Sequence, residues 1–593
     1  MKKYISFFIF FLAIALTWTS CQSDEPSAAP GDLVSAKYDP ATKSFIVTYS
    51  SGREMSYPAT IDNSVNPPTA SYSLDDTTYL YVADATIAGD AIIMGDSTIE
   101  TDTTISESIN TVSQFVYDGM STYYLWADYM INKKPTILDV DPVKYFNSVL
   151  YTTDTQNGWS WITDDVNGLL AGFEGKSLSF GYDLGFTMIG NDVFAIIRYV
   201  HPNTPAARGG LQRLDLIREL NGQPITTVQR DGYVYISDQS IGLLYGNNPV
   251  RFSTYKISGD QIIPNKEVTI TPDESDKDPV LYDSIYTIGN KKIGYLFYTD
   301  YIANYNNRLY EVFSKFKQDD VTDLILDLRY NGGGAVSSAI YLASLIAPRA
   351  AVENKSPFVI MDYNNLLNTS FDQWYKEAPP ADKYMYDRKD YLGTYDPKDS
   401  NPLDANLDLK TVYIIATDDS YSASELTLFC LKPYMNVVHI GYDTGGKYTA
   451  SWTIHGYDEE FGVPVYDETK LSSSEKNQLK NWAMQPIVAI YANKDSENFS
   501  NPGYLIPDHK LEEGFGYINY WTPLGDTKDV LLGQALYLIS GDESYLPVQP
   551  QAMRSTLPIR KEMLNSHEKG KPVIMDNIKL TAEDFQKLQQ LRN

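Results

Sequence analysis

Three short segments of the sequence combine residue types that could activate a nucleophile and stabilise an anion. They are residues 327–334 (DLRYNGGG), residues 422–425 (SASE) and the pair Gly446 and Lys447. A serine hydroxyl becomes an effective nucleophile when a neighbouring base accepts its proton. A lysine can be that base if burial lowers its pKa toward neutrality. The residue types therefore allow nucleophilic catalysis by a serine, and they leave a purely structural role open as well.

The three glycines at 332–334 stand between a predicted buried strand at 324–328 and a predicted helix from about Ala335 to Ile346. Backbone N–H groups at such a helix start can bind a phosphate or stabilise an oxyanion. A phosphate-binding loop would continue with Lys and Ser or Thr, which are missing after these glycines. The oxyanion interpretation is therefore favoured.

The serine segment follows a second predicted buried strand, at 411–416, and precedes a helix that ends near Leu431. A third strand, at 436–441, leads into the glycine pair before Lys447. The carboxyl ends of neighbouring parallel strands meet at one edge of an α/β sheet, where active sites usually lie. A serine at a helix start can also only cap the helix, and residue type alone leaves both roles open.

Residues 178–272 have a different pattern. A strand begins at Leu184, Gly185 and Phe186, a second strand covers 193–200, and the segments 203–211 and 221–225 follow. This order resembles a bacterial PDZ domain. The resemblance implies that the edge formed by Leu184, Gly185 and Phe186 takes an extended peptide as an added strand and holds its terminal carboxylate. The alternative is a PDZ domain that only packs and regulates.

Taken together, the three motifs and the upstream PDZ-like segment resemble the tail-specific, or C-terminal processing, serine peptidases. The interval from 422 to 447 is 25 residues, as in that family, and it selects Ser422 over Ser420 and Ser424 as the nucleophile. The resemblance implies a Ser422/Lys447 dyad. It also implies a multidomain α/β fold whose peptidase core is ClpP/crotonase-like with βαβ units.

Further site residues follow from the same resemblance. Gly333 and Ala423 would supply the oxyanion-hole N–H groups. Many members carry a Gln four residues after the lysine to orient it, and Ser451 stands there in this chain. Three charged residues near the motifs are interpreted as structural ion-pair or capping groups: Asp327, Arg329 and Glu425.

The beginning of the chain is typical of an exported protein. Lys2 and Lys3 precede an apolar stretch at 5–16, and Cys21 follows it. Cys21 resembles the lipidated residue of a bacterial lipoprotein, and residues 22–25 resemble a signal for the outer surface of a Gram-negative outer membrane. The prediction is a lipid-anchored, surface-exposed protein of the cell envelope, with secretion or a periplasmic location as the alternative.

Composition limits the classes of partner and cofactor. The 593 residues carry 48 basic and 76 acidic side chains, a formal charge of −28 that argues against nucleic-acid binding. The five histidines show no metal-ligand spacing, so neither a metal nor a cofactor is predicted. Cys430 lies in an apolar run and is interpreted as a core residue.

The sequence divides into seven predicted segments. These are a lipoprotein signal peptide (1–20), a tether (21–32), a small β-rich domain (33–100), a helical module (101–175), a PDZ-like domain (176–273), a tail-specific protease domain (282–548) and a C-terminal tail (549–593). The predicted function is a serine endopeptidase acting on protein or peptide substrates. Two other classes stay open: a non-catalytic peptide- or ligand-binding surface lipoprotein on the same scaffold, and a glycan-binding surface protein.

Overall fold

The structure is a computed structural model. It describes the strands between residues 33 and 82, residues 109–230, 233–259 and 261–547, the short strands at 564–565 and 574–575, and residues 580–592. The chain divides into two compact units, residues 1–108 with 136–138 and residues 109–135 with 139–593. The predicted signal peptide, the tether and Cys21 lie outside the described residues.

The first unit contains two small antiparallel sheets, one formed by β1 to β3 and the other by β4 to β6. All six strands lie within residues 33–100, the segment for which the sequence predicts a small β-rich domain. The bounds are β1 (Leu33–Asp39), β2 (Ser44–Tyr49), β3 (Glu54–Pro58), β4 (Thr60–Asp62), β5 (Thr69–Leu74) and β6 (Thr77–Val82).

The second unit begins with a helical segment whose first helix buries residues spaced three and four apart, such as Val112, Phe115, Val116 and Met120. Asn110 caps this helix by accepting hydrogen bonds from the N–H groups of Val112 and Ser113. The segment also contains a short strand that periodicity did not predict. Its elements are α1 (Thr111–Tyr123), α2 (Pro142–Val149), α3 (Thr152–Asn157), β7 (Trp161–Thr163) and α4 (Val166–Phe173).

The PDZ-like segment forms an antiparallel sheet in the order β16-β15-β11-β10-β9, with β9 at its edge. Its own core includes Phe180, Ile197 and Phe252. The elements are β8 (Lys176–Ser179), β9 (Tyr182–Ile189), β10 (Asp192–Val200), α5 (Pro205–Arg208), β11 (Leu216–Leu220), β12 (Gln223–Pro224), β13 (Thr227–Arg230), β14 (Tyr233–Ile236), α6 (Asp238–Leu244), β15 (Val250–Ser258), β16 (Gln261–Ile270) and β17 (Asp273–Asp276).

The remaining elements form an α/β core. They are β18 (Val280–Ile288), β19 (Lys291–Tyr298), α7 (Asn306–Gln318), β20 (Asp323–Asp327), β21 (Gly334–Ala335), α8 (Val336–Ile346), α9 (Arg349–Glu353), β22 (Pro357–Tyr363), α10 (Asn365–Glu377), β23 (Lys389–Tyr391), α11 (Pro402–Ala405), β24 (Thr411–Ala416), α12 (Ala423–Leu431), β25 (Asn436–Gly441), β26 (Thr449–Ser451), β27 (Ile454–His455), β28 (Val463–Pro464), α13 (Ser473–Leu479), β29 (Ala483–Gln485), β30 (Ile487–Asn493), β31 (His509–Lys510), α14 (Val530–Ser540), β32 (Leu564–Asn565), β33 (Ile574–Met575) and α15 (Ala582–Arg592).

The principal sheet of this core has the order β18-β19-β20-β24-β25-β31, and every pair except β18 with β19 is parallel. Strand residues alternate between two cores. Leu324 and Leu326 pack with α7, α8 and α12, whereas Ile325 packs with α14 on the other face. Helices therefore cover both faces of the sheet, and the prediction of a multidomain α/β fold with βαβ units is confirmed.

The three motifs meet at the carboxyl edge of this sheet. The glycine run follows β20, the serine segment follows β24, and the segment ending at Lys447 follows β25. Two further sheets pack beside it, in the orders β21-β33-β26-β30-β22-β23 and β28-β27-β29-β7. In the second of them, β7 of the helical segment pairs with β29 of the core.

Part of the segment predicted as a C-terminal tail belongs to this core. Helix α15 buries Phe585 and Leu588, and the Phe585 ring lies 5.6 Å from that of Tyr123 in α1. Among the residues that the structure describes, no helix has the length and apolar character needed to cross a membrane.

Candidate active site

Ser422 differs from its two neighbouring serines in having an uncommitted hydroxyl. Ser420 Oγ donates to the carbonyl of Leu328 (2.7 Å), and Ser424 Oγ donates to that of Asn331 (2.9 Å). Ser422 is buried, and its Oγ has no hydrogen-bond partner among the described residues. Ser420 and Ser424 therefore connect the serine segment to the residues that follow β20. The Ser422 hydroxyl makes no such bond and is available for reaction.

The backbone of Ser422 is strained. It precedes the first residue of α12 with φ 62° and ψ −114°, a conformation that costs a residue with a Cβ atom about 1–3 kcal/mol. The following N–H, that of Ala423, lies at the positive end of the helix dipole. This turn places the serine side chain and a helix N-terminus together, as an attacking hydroxyl and an oxyanion donor require.

A single buried carboxylate connects the serine segment to the lysine segment. Glu425 Oε2 accepts the backbone N–H groups of Ser422 and Lys447, both at 2.8 Å. Its Oε1 accepts the Thr444 hydroxyl at 2.5 Å and the Gly446 N–H at 2.8 Å. Burial raises the pKa of Glu425 to about 6, against the lowering effect of these four hydrogen bonds. Glu425 therefore fixes the relative position of the two segments.

Lys447 is completely buried, and this burial is the main reason that its pKa falls to about 7. The negative charges of Asp154 and Glu425 oppose the fall, and the effect of Asp154 is the larger. At neutral pH a substantial fraction of the side chain is therefore the free amine. A neutral amine can accept a proton, which an ordinary surface lysine cannot do at this pH.

Tyr491 contacts the carbonyl groups of the same two residues. Its hydroxyl lies 3.1 Å from the carbonyl oxygen of Lys447 and 3.4 Å from that of Ser422. Tyr491 is buried on β30, and its N–H donates to the carbonyl oxygen of Tyr448. Glu425 thus accepts the N–H groups of the serine and the lysine, and Tyr491 donates to their carbonyl groups.

The glycine loop approaches the serine closely at Gly333. A Cβ atom built there would lie 2.7 Å from Ser422 Cβ, and its φ of 107° is one that favours glycine. The Gly333 N–H donates to Asn331 Oδ1 at 2.9 Å. The structure therefore brings Gly333 beside Ser422, as the sequence predicts, but in this conformation its N–H is engaged within the loop.

The glycines before Lys447 allow equally close packing. A Cβ atom on Gly445 would meet the ring of Tyr421 at 2.1 Å, and one on Gly446 would meet the Gly503 carbonyl oxygen at 2.7 Å. Gly446 also has a φ of 91°. Ser451, the predicted lysine orienter, is buried in β26, where it pairs with Ile487 of β30.

The predicted peptide-binding edge lies on β9. Leu184, Gly185 and Phe186 pair with β10, and in the described part of the chain no strand is hydrogen-bonded to the opposite side of β9, near which β32 lies. Leu184 and Phe186 contribute to the PDZ-like core. Gly185 faces the other way, where an added Cβ would meet Phe515 and Arg198. The edge is thus geometrically suited to strand addition.

Arg198 connects the PDZ-like sheet to the serine segment and to the glycine loop. Its Nη2 lies 2.9 Å from Asp419, three residues before Ser422, and its Nη1 lies 3.6 Å from Asp183 on β9. The guanidinium also stacks over Tyr330 of the glycine loop, 4.9 Å from the ring centre. Nothing in the local sequence pattern points to this residue.

A second buried ionic cluster supports the base of the glycine loop. Arg329 pairs with Asp327 at 2.6 Å, and with Asp529 and Glu513 at 2.9 Å each. Glu513 also accepts from Arg213 of the PDZ-like segment at 2.6 Å. The charged groups of this cluster pair with one another, as expected of ion pairs that stabilise the fold.

Three residues that contact or act on the serine and lysine segments were not predicted from the sequence: Asp154, Tyr491 and Arg198. Each lies on an element far from the motifs in the chain, and no short-range spacing marks it. Among the residues that the structure describes, no group of three or more His, Cys, Asp or Glu side chains is placed to hold a metal ion. Cys430 is a buried free thiol.

Comparison with known families gives three matches along the chain. Residues 292–486 match peptidase family S41, residues 111–161 match the peptidase S41 N-terminal domain, and residues 196–235 match a PDZ domain. Each match falls inside the corresponding predicted segment, and the resemblance to C-terminal processing peptidases is confirmed. No curated protein matches the chain.

Solved structures with the same fold include a proposed S41 protease from Bacteroides fragilis. It is 24% identical with a TM-score of 0.54, over 72% of this chain and 97% of that chain. The photosystem II D1 C-terminal processing protease is 15% identical with a TM-score of 0.40, over 71% of this chain and 96% of that chain. The first of these likenesses shows the shared fold.

Proposed function

Because residues 292–486 form a peptidase domain of family S41 behind an S41 N-terminal domain and a PDZ domain, we propose that the protein is a serine endopeptidase with a Ser422/Lys447 dyad. One observation carries the proposal. Among the described residues, the buried hydroxyl of Ser422 has no hydrogen-bond partner. The backbone N–H of Ser422 donates to the same Glu425 oxygen as the backbone N–H of Lys447, a buried lysine with a lowered pKa.

In the proposed mechanism, neutral Lys447 accepts the proton of Ser422 Oγ while that oxygen bonds to the scissile carbonyl carbon. The resulting ammonium then gives the proton to the leaving amine as the C–N bond breaks, which leaves an acyl-enzyme on Ser422. A water molecule then attacks the ester while Lys447 accepts its proton, and Lys447 returns this proton to Ser422 Oγ as the acid product leaves.

Oxyanion stabilisation is assigned to the N–H groups of Ala423 and Gly333. The first belongs to the N-terminus of α12. The second donates to Asn331 in this structure, and Ser422 is buried. We therefore take the described arrangement as a resting form. Binding of a substrate would require the glycine loop to open and the Gly333 N–H to exchange Asn331 for the substrate oxygen.

The proposed substrates are proteins or peptides with a free C-terminal tail. The open edge of β9 can accept such a tail as an added strand, next to Leu184, Gly185 and Phe186. Lipid anchoring through Cys21 at the outer membrane surface is proposed from the sequence alone. Amidation of a peptide's C-terminus should raise KM if the tail is held by its carboxylate, and should leave KM unchanged if the domain only packs.

A fluorophosphonate probe tests the nucleophile, because it forms a covalent bond with an activated serine. Wild-type protein should be labelled at Ser422 and should cleave an unfolded protein substrate, whereas Ser422→Ala should do neither. Ser420→Ala and Ser424→Ala serve as controls that retain the Ser422 hydroxyl. Equal cleavage by Ser422→Ala and wild type would contradict the proposal, and binding without cleavage by wild type would favour a non-catalytic binding protein.

A further inference from the structure

The S41 N-terminal domain contributes a buried carboxylate close to the candidate active site. Asp154 lies in α3 and is fully buried, although the segment around it belongs to the helical module and not to the peptidase domain. A buried carboxylate is costly unless hydrogen bonds or a cation stabilise it. The groups that surround Asp154 therefore indicate how its buried negative charge is stabilised.

Hydrogen bonds hold both oxygens of Asp154. Oδ2 accepts from the Tyr124 hydroxyl at 2.7 Å and the Ser160 hydroxyl at 2.5 Å, and Oδ1 accepts the Ser160 N–H at 2.9 Å. Burial raises the pKa of Asp154 above its usual value, and the three donors oppose this rise because they favour the ionised carboxylate. The arrangement fixes the carboxylate in one orientation.

The same segment is attached to the strands that flank the lysine. Ser160 Oγ accepts the N–H of Ile487 at 2.9 Å, and Ile487 is the register partner of Ser451. The ring of Trp159 lies 5.3 Å from that of Tyr448, the residue after Lys447. The N-terminal domain therefore contacts both the residue after Lys447 and the strand that pairs with β26.

Two charged groups act on Lys447, and the effect of Asp154 exceeds that of Glu425. The two oxygens of Glu425 accept four hydrogen bonds from the serine and lysine segments. Two tyrosines near these carboxylates, Tyr124 and Tyr491, are neutral at physiological pH because burial raises the pKa of each.

We propose that Asp154 is a positioning residue that completes a Ser422–Lys447–Asp154 arrangement, so that the N-terminal domain supplies the third member of the catalytic site. The inference rests on the proposed dyad. When Lys447 takes the proton of Ser422, its new positive charge appears in a buried space, and the fixed Asp154 carboxylate stabilises it. Asp154 keeps its own charge throughout, and no proton passes to it.

The pH dependence of kcat/KM separates this role from a structural one. Asp154→Asn removes the negative charge but keeps the size of the side chain. Without that charge the pKa of Lys447 falls further, so the acidic limb of the profile should move to lower pH by about 1 unit. The plateau should fall at least about 10-fold, because the ammonium formed in the reaction loses its stabilisation.

Asp118→Asn is the matched control. Asp118 is also a largely buried aspartate of the N-terminal domain, but it bonds to Gln114 and Tyr466, and Lys447 is not among the charges that act on it. This variant should leave the position of the acidic limb unchanged. A shift of equal size in Asp118→Asn and Asp154→Asn would show that any disturbance of the domain has this effect, and would overturn the inference.

The full-length protein is assayed with one peptide from pH 5 to 10, and folding is checked by circular dichroism. If Asp154→Asn does not fold, Ser160→Ala provides the test, because it removes one hydrogen bond from the carboxylate and should move the limb in the same direction by a smaller amount. An acidic limb that coincides with that of wild type in the folded variant overturns the role of Asp154. Retained activity in Ser422→Ala would instead overturn the proposed dyad.

Discussion

Ser422 and Lys447 donate their backbone N–H groups to the same atom, Glu425 Oε2, each at a distance of 2.8 Å. The serine and lysine segments follow different strands, β24 and β25, so the sheet alone sets their separation only coarsely. The shared oxygen belongs to Glu425, three residues after the serine, and it connects the serine and lysine segments directly. Glu425 is therefore both the cap of α12 and the link between the two members of the proposed dyad.

Glu425→Gln should destabilise the fold and lower kcat. The amide NH₂ would replace one of two oxygens that each accept two hydrogen bonds, so two buried donors would lose their acceptor, at a cost of about 2–4 kcal/mol. Urea denaturation and peptide hydrolysis measure the two effects. Glu475→Gln is the control, because Glu475 caps α13 in the same way at an exposed position. Equal effects of the two substitutions would contradict the linking role.

Gly333→Ala should reduce kcat by at least about 100-fold while the protein stays folded. Its methyl group would lie 2.7 Å from Ser422 Cβ, and the φ of 107° disfavours alanine. The glycine loop must then move away from the serine, which removes an oxyanion donor. Gly332→Ala is the matched control, since a Cβ atom there meets nothing within 4 Å. Equal activity of the two variants would show that close approach at 333 is not needed.

Lys447→Met should stabilise the protein most at low pH. The pKa of Lys447 is about 7 in the folded chain against 10.5 as the ordinary value, so the unfolded chain binds more protons between these pH values. The free energy of unfolding of wild type should therefore rise through this window, by about 1.4 kcal/mol per pH unit from this group. Methionine has no such contribution. The advantage of the variant should be largest below pH 7 and shrink toward pH 10.

Urea denaturation of wild type and Lys447→Met at pH 6.5 and 9 measures this difference, and most other titrating groups cancel in the comparison. A difference in unfolding free energy that is the same at both pH values would mean that Lys447 keeps an ordinary pKa in the folded chain.

Arg198→Met should lower kcat about 10-fold, because the serine segment loses its ion pair at Asp419 and the glycine loop loses the cation stacked on Tyr330. Arg218→Met is the control. Arg218 lies on the neighbouring strand β11, pairs with the half-exposed Asp192 and stacks on Tyr255, away from both loops. Steady-state kinetics that place both variants at the wild-type kcat would show that the contacts of Arg198 do not hold the loops.

The local parts of the site are readable from the sequence. Strands 411–416 and 436–441 have the predicted bounds, because buried parallel strands are continuous apolar runs. Glycines after them mark close approaches, and the interval of 25 residues singles out Ser422. The hydrogen bonds of Ser420 and Ser424 supply a structural reason for the same choice that residue spacing alone does not contain.

The long-range parts of the site could not be read in this way. Asp154 and Lys447 are separated by almost 300 residues, and they come together because β7 pairs with β29 and Ser160 bonds to Ile487. Such contacts depend on tertiary packing, which leaves no periodic signal in either segment. The bond from Gly333 to Asn331 was missed for another reason, since loop hydrogen bonds depend on exact backbone angles. Cys21 lies outside the described residues, and the lipid anchor stays a prediction.

The most direct test of the dyad is the kcat/KM of Lys447→Arg on a peptide that wild type cleaves, at pH 8. A guanidinium keeps its proton at this pH, so it preserves the positive charge and cannot act as a base. Lys432→Arg, at an exposed position just after α12, controls for the substitution itself. The account predicts that Lys447→Arg retains less than about 0.1% of wild-type activity in a folded protein, while Lys432→Arg is unchanged, since a general base contributes about 100- to 10,000-fold. Near-normal activity of Lys447→Arg would show that another residue takes the proton of Ser422.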